Sequence, residues 1–196
     1  MAVLAALGAS AISSATALGH EFFGDSPFAL EATSSATQIF QLGSSDSLEC
    51  GKLALTYSPS SGALPNLALT IKSYEKCIFN HPFVSEKATL STSGCEWVLK
   101  SFPLKEVSTK VFNEGAANLE CTLVFTTTHC QVKILKRTLL SEFQWENLNT
   151  VFGSYKSELL FQLTSVGYEI TGTGCTSSGS GGEYRGSIPL PGVIIK

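Results

Sequence analysis

Apolar and polar residues alternate along most of this chain with the two-residue period of half-buried β-strands. In the segment 130–134, Cys130, Val132 and Ile134 alternate with polar residues. The same alternation occurs in segments 95–99, 121–125 and 166–170. Residues that favour turns, chiefly Gly, Pro, Asn and Ser, separate these segments at short intervals. After residue 35 no apolar stripe of helical period exceeds two turns. The pattern therefore predicts an all-β fold, either an antiparallel β-sandwich or a barrel-like sandwich.

Two places depart from simple alternation. Leu48 and Cys50 share one phase, whereas Leu53, Leu55 and Tyr57 share the opposite phase. Because Gly51 lies at the change of phase, we predict a β-bulge there. The second place is the Ser- and Gly-rich segment 177–182, which we interpret as a flexible hairpin connection rather than a domain linker.

The N-terminal segment has the composition of an export signal. Residues 1–18 are apolar and small, and Ala15-Thr16-Ala17 has the small-x-small pattern of a cleavage site. No Lys or Arg precedes the apolar run, and an ordinary Ala-rich helix is the alternative interpretation. We expect a signal peptide over residues 1–17 and a single β domain over 18–196, with an ordered core at about 28–190. No other stretch is apolar for the roughly 20 residues of a membrane span, so we expect none in the mature chain.

Composition excludes several functions. Hydrophobic residues make up 43% of the 196 residues, which is incompatible with a disordered chain. The net charge is −3, and Arg occurs only at positions 137 and 185, so the chain lacks the clustered cations that bind nucleic acid. The two Asp residues, Asp25 and Asp46, are too few and too far apart for a calcium loop.

The cysteines indicate a disulfide framework in an oxidising compartment. There are six: Cys50, Cys77, Cys95, Cys121, Cys130 and Cys175. They lie on apolar strand faces, so disulfides that join neighbouring strands or the two sheets are favoured. The preferred set pairs residues 50 with 77, 95 with 121, and 130 with 175; the first two loops, of roughly 25 residues, each stabilise by about 3 kcal/mol. A hairpin disulfide between residues 121 and 130 is the main alternative. Zinc is disfavoured because no Cys-x-x-Cys pair occurs, so we expect no metal or other cofactor.

Catalytic motifs are missing from the sequence. The chain contains no Gly-x-Ser-x-Gly, P-loop or His-Glu-x-x-His motif to place a nucleophile or metal beside His20, His81 or His129. We interpret His81 as a loop residue and His129 as a strand residue that faces solvent. Glu96 and Glu146, each beside a tryptophan, are the candidate carboxylates of a glycosidase. Because neighbours in a strand alternate faces, we favour the interpretation that both glutamates face solvent beside tryptophans of the core.

One aromatic segment has two interpretations. Phe143 and Trp145 share a strand face, and Gln, Glu and Asn flank them. An exposed Trp145 would be a stacking platform for a carbohydrate. Burial in the core is the commoner fate of large aromatic side chains, and we favour it here.

The order of motifs resembles a known group of proteins. Ser47-Leu48-Glu49-Cys50 is followed by Tyr74-Glu75-Lys76-Cys77, Ser93-Gly94-Cys95-Glu96-Trp97 and His129-Cys130-Gln131-Val132, and the chain closes with Gly174-Cys175 and Gly182-Glu183-Tyr184-Arg185-Gly186-Ser187. This order, over roughly 28–190, resembles a group of secreted, six-cysteine, β-rich proteins of soil actinobacteria that has no known activity. The resemblance implies export, an all-β fold and disulfides, and it implies no ligand or catalytic residue. The short segment between the fourth and fifth cysteines and Lys136-Arg137-Thr138 depart from the pattern of that group.

These observations favour a non-enzymatic protein. We expect a secreted or cell-surface, disulfide-stabilised β protein with a structural, adhesive or binding role, whose partner is a component of the cell envelope or a carbohydrate. The alternatives are a carbohydrate-binding module, for which Trp145 would be the ligand-binding residue, and a small secreted glycoside hydrolase.

Overall fold

The computed structural model describes residues 21–24, 28–59, 63–92, 94–101, 105–107, 110–112, 114–136, 142–148 and 156–195. The predicted signal peptide and His20 lie outside these residues. Within them the chain forms strands and no helix, which confirms the all-β prediction. The strands are β1 Phe22–Gly24, β2 Leu30–Ser34, β3 Gln38–Leu42, β4 Asp46–Tyr57, β5 Ala63–Leu64, β6 Asn66–His81, β7 Val84–Leu90, β8 Glu96–Ser101, β9 Lys105–Val107, β10 Lys110–Phe112, β11 Glu114–Leu119, β12 Leu123–Thr126, β13 Cys130–Ile134, β14 Glu142–Asn147, β15 Lys156–Gly172, β16 Ser177–Pro191 and β17 Val193–Ile195.

Eight of these strands close into an antiparallel barrel. Their order is β6-β8-β11-β14-β15-β16-β3-β4, and the pairing of β4 with β6 closes the ring. Strands β7, β12 and β13 form a second connection between β6 and β15. The two long strands therefore exchange one neighbour for another part-way along. Strand β2 pairs with the second half of β4 outside the ring, and small sheets of β17-β1-β5 and of β9-β10 complete the described structure.

The gap where β8-β11-β14 separates from β7-β12-β13 is called the seam below. Along β6, the pairing with β8 ends at Thr70 and the pairing with β7 begins at Cys77. On β15 it passes from β14 at Phe161 to β13 at Tyr168, through two register shifts. A left-handed backbone at Ser165 (φ 58°) accompanies this change. Such bulges bend a strand and allow it to change partner.

The phase change predicted at Gly51 is present, but its form differs from a simple bulge. Inward-facing positions pass from Cys50 to Leu53, as the sequence indicates. The opposite strand changes phase at the same level, because Glu75 and Lys76 are both exposed. The β4–β6 register is therefore retained past Gly51, and the register shift follows Ala54.

Three disulfides tie this framework, and they are the three pairs that the sequence analysis favoured. Their sequence separations are 27, 26 and 45 residues for Cys50–Cys77, Cys95–Cys121 and Cys130–Cys175. The first joins adjacent strands β4 and β6, and the third joins the start of β13 to the β15–β16 turn. The second extends the β8–β11 pairing at the edge of the seam, and beside it the Ile71 amide donates to the Cys95 carbonyl at 2.7 Å.

A buried glutamine joins β3 to β16 where their backbone pairing ends. Gln38 is fully buried, and its amide nitrogen donates to the carbonyl of Ser187 at 3.1 Å. Its amide oxygen accepts a hydrogen bond of 2.5 Å from the Tyr184 hydroxyl. Gly186 makes room for it, because a Cβ there would lie 2.0 Å from the Gln38 amide oxygen. Each part of the buried amide thus has a partner, as burial requires.

The interpretation of residues 177–182 as a flexible connection is wrong. This segment is the first part of β16, and the turn precedes it at Thr173-Gly174. Its glycines have a packing reason: a Cβ at Gly179 would lie 2.9 Å from the Tyr168 hydroxyl, and one at Gly182 would lie 3.4 Å from the Tyr168 ring. An aromatic ring that covers strand glycines supports such a strand.

Candidate functional site

Four turns meet at one end of the barrel, which is called the hairpin end below. They are Gly43-Ser44-Ser45, Pro82-Phe83, Thr127-Thr128-His129 and Thr173-Gly174. The register places them together, because Ser47 of β4 pairs with Asn80 of β6. Likewise the first residue of β13 pairs with the last residue of β15. His81 and His129, with the carboxylates that contact them, lie at this end.

Two histidine–carboxylate pairs brace the hairpin end. His81 Nδ1 lies 2.5 Å from Asp46 Oδ1, and the Asp46 side chain is only 4% exposed. His129 Nδ1 contacts Glu86 Oε1, and the His129 backbone amide donates to the same carboxylate. These hydrogen bonds, with one from Thr127, lower the pKa of Glu86 to about 2. Neither histidine occupies the setting expected from sequence: His81 ends a strand against a carboxylate, and His129 lies in a turn.

A histidine held by a carboxylate is part of a catalytic triad, which also needs a nucleophile. In the described residues no hydroxyl or thiol is hydrogen-bonded to the imidazole of His81 or His129. The His81 ring instead stacks against Phe79, with ring centroids 6.2 Å apart. The geometry therefore supports a bracing role, in which each histidine ties one turn to a neighbouring strand.

Aromatic rings fill the middle of the barrel. The Tyr184 ring lies 4.6 Å from Phe40 and 5.4 Å from Trp97, measured between centroids. Burial raises the pKa of Tyr74 to about 12 and raises that of Tyr184 well above its usual value, so both phenols are neutral. A cavity of about 20 Å³ at the seam, large enough for about one water molecule, is lined by apolar side chains. The described aromatic and aliphatic side chains thus fill the middle of the barrel.

Trp145 is not a ligand platform in this structure. Its side chain is 4% exposed, and its ring lies 5.6 Å from that of Phe143, which is fully buried. Both residues face inward from β14, as the alternation of the strand requires. The interpretation of this segment as core is confirmed, and the exposure of Trp145 that would favour it as a ligand-binding residue is not found.

The carboxylates of Glu96 and Glu146 are too far apart for glycoside hydrolysis. Glu96 precedes Trp97, which pairs with Leu119 of β11, whereas Glu146 lies two residues past the partner of Glu114. They are therefore separated by eight residue steps along β11, which is roughly 25 Å. Glycosidase carboxylates lie about 5–10 Å apart. Glu146 instead faces Glu158 across the β14–β15 pair on the outer surface.

Concave surface is found on the outside of the barrel. One groove of about 510 Å³ follows β14, β15 and β16 and is lined by Gln144, Leu160, Gln162 and Ser187, among other side chains. Leu160 is 44% exposed in it. A second groove, of about 350 Å³, includes Thr70 and Glu96, whose side chains share a hydrogen bond of 3.2 Å. The sequence indicated neither groove, because each forms only where separate strands pair.

The described residues contain no group of three or more His, Cys, Asp or Glu side chains that could hold a metal ion. They also include no helix with the length and apolar character needed to cross a membrane. No protein-family model matches the chain, and neither a curated protein nor a solved structure is significantly similar to it. Function is therefore inferred from the geometry.

Proposed function

We propose that this chain is an extracytoplasmic protein with a structural or binding role, secreted or held at the cell surface, that meets its partners through its outer surface. The observation that carries this proposal is the closed barrel with a filled interior, tied by three disulfides. Disulfides of this kind are typical of proteins outside the cytoplasm. A filled interior directs any ligand to the outer strands and turns.

The side-chain chemistry supports a role other than catalysis. Each histidine imidazole at the hairpin end is paired with a carboxylate and is hydrogen-bonded to no hydroxyl or thiol in the described part of the chain. The two glutamates suggested for hydrolysis lie at different ends of the barrel wall. The carbohydrate alternative loses the residue on which it rested, because Trp145 is buried.

Export is the second part of the proposal. It is supported by the composition of residues 1–17 and by the resemblance to secreted six-cysteine proteins. It also agrees with the disulfides, which glutathione and thioredoxin would reduce in most cytoplasmic environments. The export apparatus would deliver the chain unfolded, and the barrel and its disulfides would form afterwards.

The test is fractionation of a bacterium that secretes proteins and expresses the full chain or a chain lacking residues 1–17. We expect the full chain in the medium or the cell-wall fraction, with its cysteines resistant to alkylation before reduction. The truncated chain should remain in the cytoplasm. A full chain that stays in the cytoplasm with alkylatable thiols would refute the proposal. So would a protein of either form that hydrolyses glycans with measurable turnover.

A further inference from the structure

An aromatic side chain projects from the hairpin end without any cover. Phe83 has a relative exposure of 105% and a left-handed backbone (φ 71°). It follows Pro82 in the two-residue turn between β6 and β7, in the position where turns favour Gly or Asn. Phenylalanine is therefore unfavourable here on two independent grounds, its exposure and its backbone conformation. Such outliers concentrate at sites of recognition.

The turn that presents this side chain is held firmly. Below it the Ser85 hydroxyl donates to the Asn80 side-chain oxygen at 2.7 Å, and His81 is tied to Asp46. Cys77, in the same strand, is bonded to Cys50 of β4. A fixed turn loses little conformational entropy when it docks, so the exposed ring is preorganised to insert into an apolar recess.

The outer groove along β14–β16 offers a matching recess. Leu160 is another large apolar side chain that is exposed, and it lies in this groove. The groove walls carry the amides of Gln144 and Gln162 and the hydroxyl of Ser187. Its volume of about 510 Å³ lies within the range of pockets that enclose small organic groups.

We propose that the hairpin tip around Phe83 docks in the Leu160 groove of a second copy of this chain. Charge is consistent with this pairing: residues 77–85 include no Lys, Arg, Asp or Glu, and the groove is lined by uncharged side chains. A tip without Lys or Arg has no attraction for anionic lipid, and one aromatic ring is too small an anchor to hold the protein on a bilayer. The inference rests on the proposed binding role and names its partner.

The contact joins two different surfaces, the end of one barrel and the side of the next. Such head-to-side contacts leave a free tip and a free groove on each dimer, so they continue into open chains unless a ring closes. The ring of Phe83 with its neighbours Pro82 and Val84 forms a small interface, and interfaces of this size are weak. Assembly would therefore depend on a high local concentration, such as exists on a surface.

Sedimentation velocity of the purified, disulfide-intact protein, at concentrations up to about 1 mM, tests the proposal. We expect the weight-average sedimentation coefficient to rise with concentration for the wild type. It should rise equally for the control variant Phe28→Ser, which removes an exposed apolar side chain outside both the tip and the groove. Phe83→Ser, which removes the tip, and Leu160→Lys, which blocks the groove, should each remain monomeric. Leu160→Thr replaces the lysine variant if near-ultraviolet circular dichroism shows that lysine disturbs the fold.

Mixing the two variants gives the sharpest result. Phe83→Ser retains the groove and Leu160→Lys retains the tip, so an equimolar mixture should form dimers and nothing larger. A wild type that stays monomeric at about 1 mM, or a groove variant that associates like the wild type, would overturn the proposal. Flotation of the wild type with phosphatidylcholine vesicles, lost in Phe83→Ser, would assign the tip to lipid instead and would also overturn it. Because purified protein is used, failure here leaves the export test unaffected, and the reverse is also true.

Discussion

The disulfide at the edge of the seam, Cys95–Cys121, provides the most specific stability prediction. Replacing Cys95 and Cys121 together with alanine removes a crosslink that closes a loop of 26 residues. Loop-closure entropy assigns such a crosslink about 3.5 kcal/mol. Cys95 is 2% exposed, so loss of its sulfur should remove about 1 kcal/mol of packing as well. The sum, about 4.5 kcal/mol, corresponds to a fall in Tm of about 9–18 °C for a domain of this size.

A matched control variant separates the effect of losing a crosslink from the effect of its position at the seam. The disulfide between Cys50 and Cys77 closes a loop of 27 residues, so its double alanine variant should lose a similar free energy of unfolding. That disulfide lies between strands that are hydrogen-bonded on both sides of it, whereas Cys95–Cys121 lies beyond the last residue pair of β8 and β11, at the edge of the seam. The two variants should therefore have similar free energies of global unfolding but different free energies of local opening near the seam.

Urea unfolding and amide hydrogen exchange measure these two effects. The amide of Ile71 donates to the Cys95 carbonyl at 2.7 Å, and the amide of Glu120 donates to the Glu96 carbonyl at 3.0 Å. In the seam variant both amides should exchange at a free energy well below that of global unfolding. In the control variant they should keep the global value. A loss below about 1 kcal/mol in the seam variant, or equal exchange in both variants, would refute the reasoning.

Three further predictions concern single side chains. Glu86→Gln removes a carboxylate whose pKa is lowered from 4.5 to about 2, chiefly by the hydrogen bond from His129. The wild type should lose the stability contributed by this carboxylate as the pH falls from about 4.5 to about 2, and the variant should not. Parallel urea midpoints of the two proteins across this pH range would contradict the pairing. Gly186→Ala should lower the free energy of unfolding in urea by about 1–3 kcal/mol, because the new Cβ meets the amide of Gln38. Adding Gln38→Ala should recover part of this loss. Equal stability of the double variant and the Gly186→Ala variant would contradict the packing. Glu158→Lys replaces a like-charged cross-strand pair on the outer surface with an opposite one and should raise stability by about 0.2–1 kcal/mol, whereas a loss would show that the two glutamates do not face each other in solution.

The strands themselves were predictable because burial of one sheet face is a local, two-residue pattern. Cys130, Val132 and Ile134 are buried as the alternation indicates, and so are Phe143 and Trp145. The same pattern favoured the observed disulfides, since cysteines on inward faces lie close to cysteines of neighbouring strands. A disulfide between residues 121 and 130 stayed open as an alternative, because spacing alone does not select a partner.

The closure of the barrel was not predictable from the sequence. Strands β6 and β15 each pair with one strand in their first half and with another in their second half. The local sequence pattern of a strand does not identify its neighbouring strand, because any strand with one apolar face can pair with another such strand. The interpretation of residues 177–182 was wrong for a related reason. Their glycines are typical of a loop by composition, but the ring of Tyr168 on the adjacent strand packs over them within a strand.

The candidate site was only partly visible in the sequence. The turn at Pro82 was evident from its residue type, but the register decides that Phe83 projects into solvent. Asp46 and His81 are separated by 35 residues in the chain, and only the pairing of β4 with β6 brings them together. Contacts of this kind depend on tertiary structure, so residue spacing does not reveal them.

The most direct test of the account is peptide mapping of the exported, non-reduced protein, because its central claim is that three crosslinks tie a barrel formed outside the cytoplasm. We expect a mature N-terminus that follows Ala17, together with disulfide-linked peptides that join residues 50 with 77, 95 with 121 and 130 with 175. A chain that keeps Met1 and has alkylatable thiols would contradict the account, as would a peptide that joins residue 121 to 130.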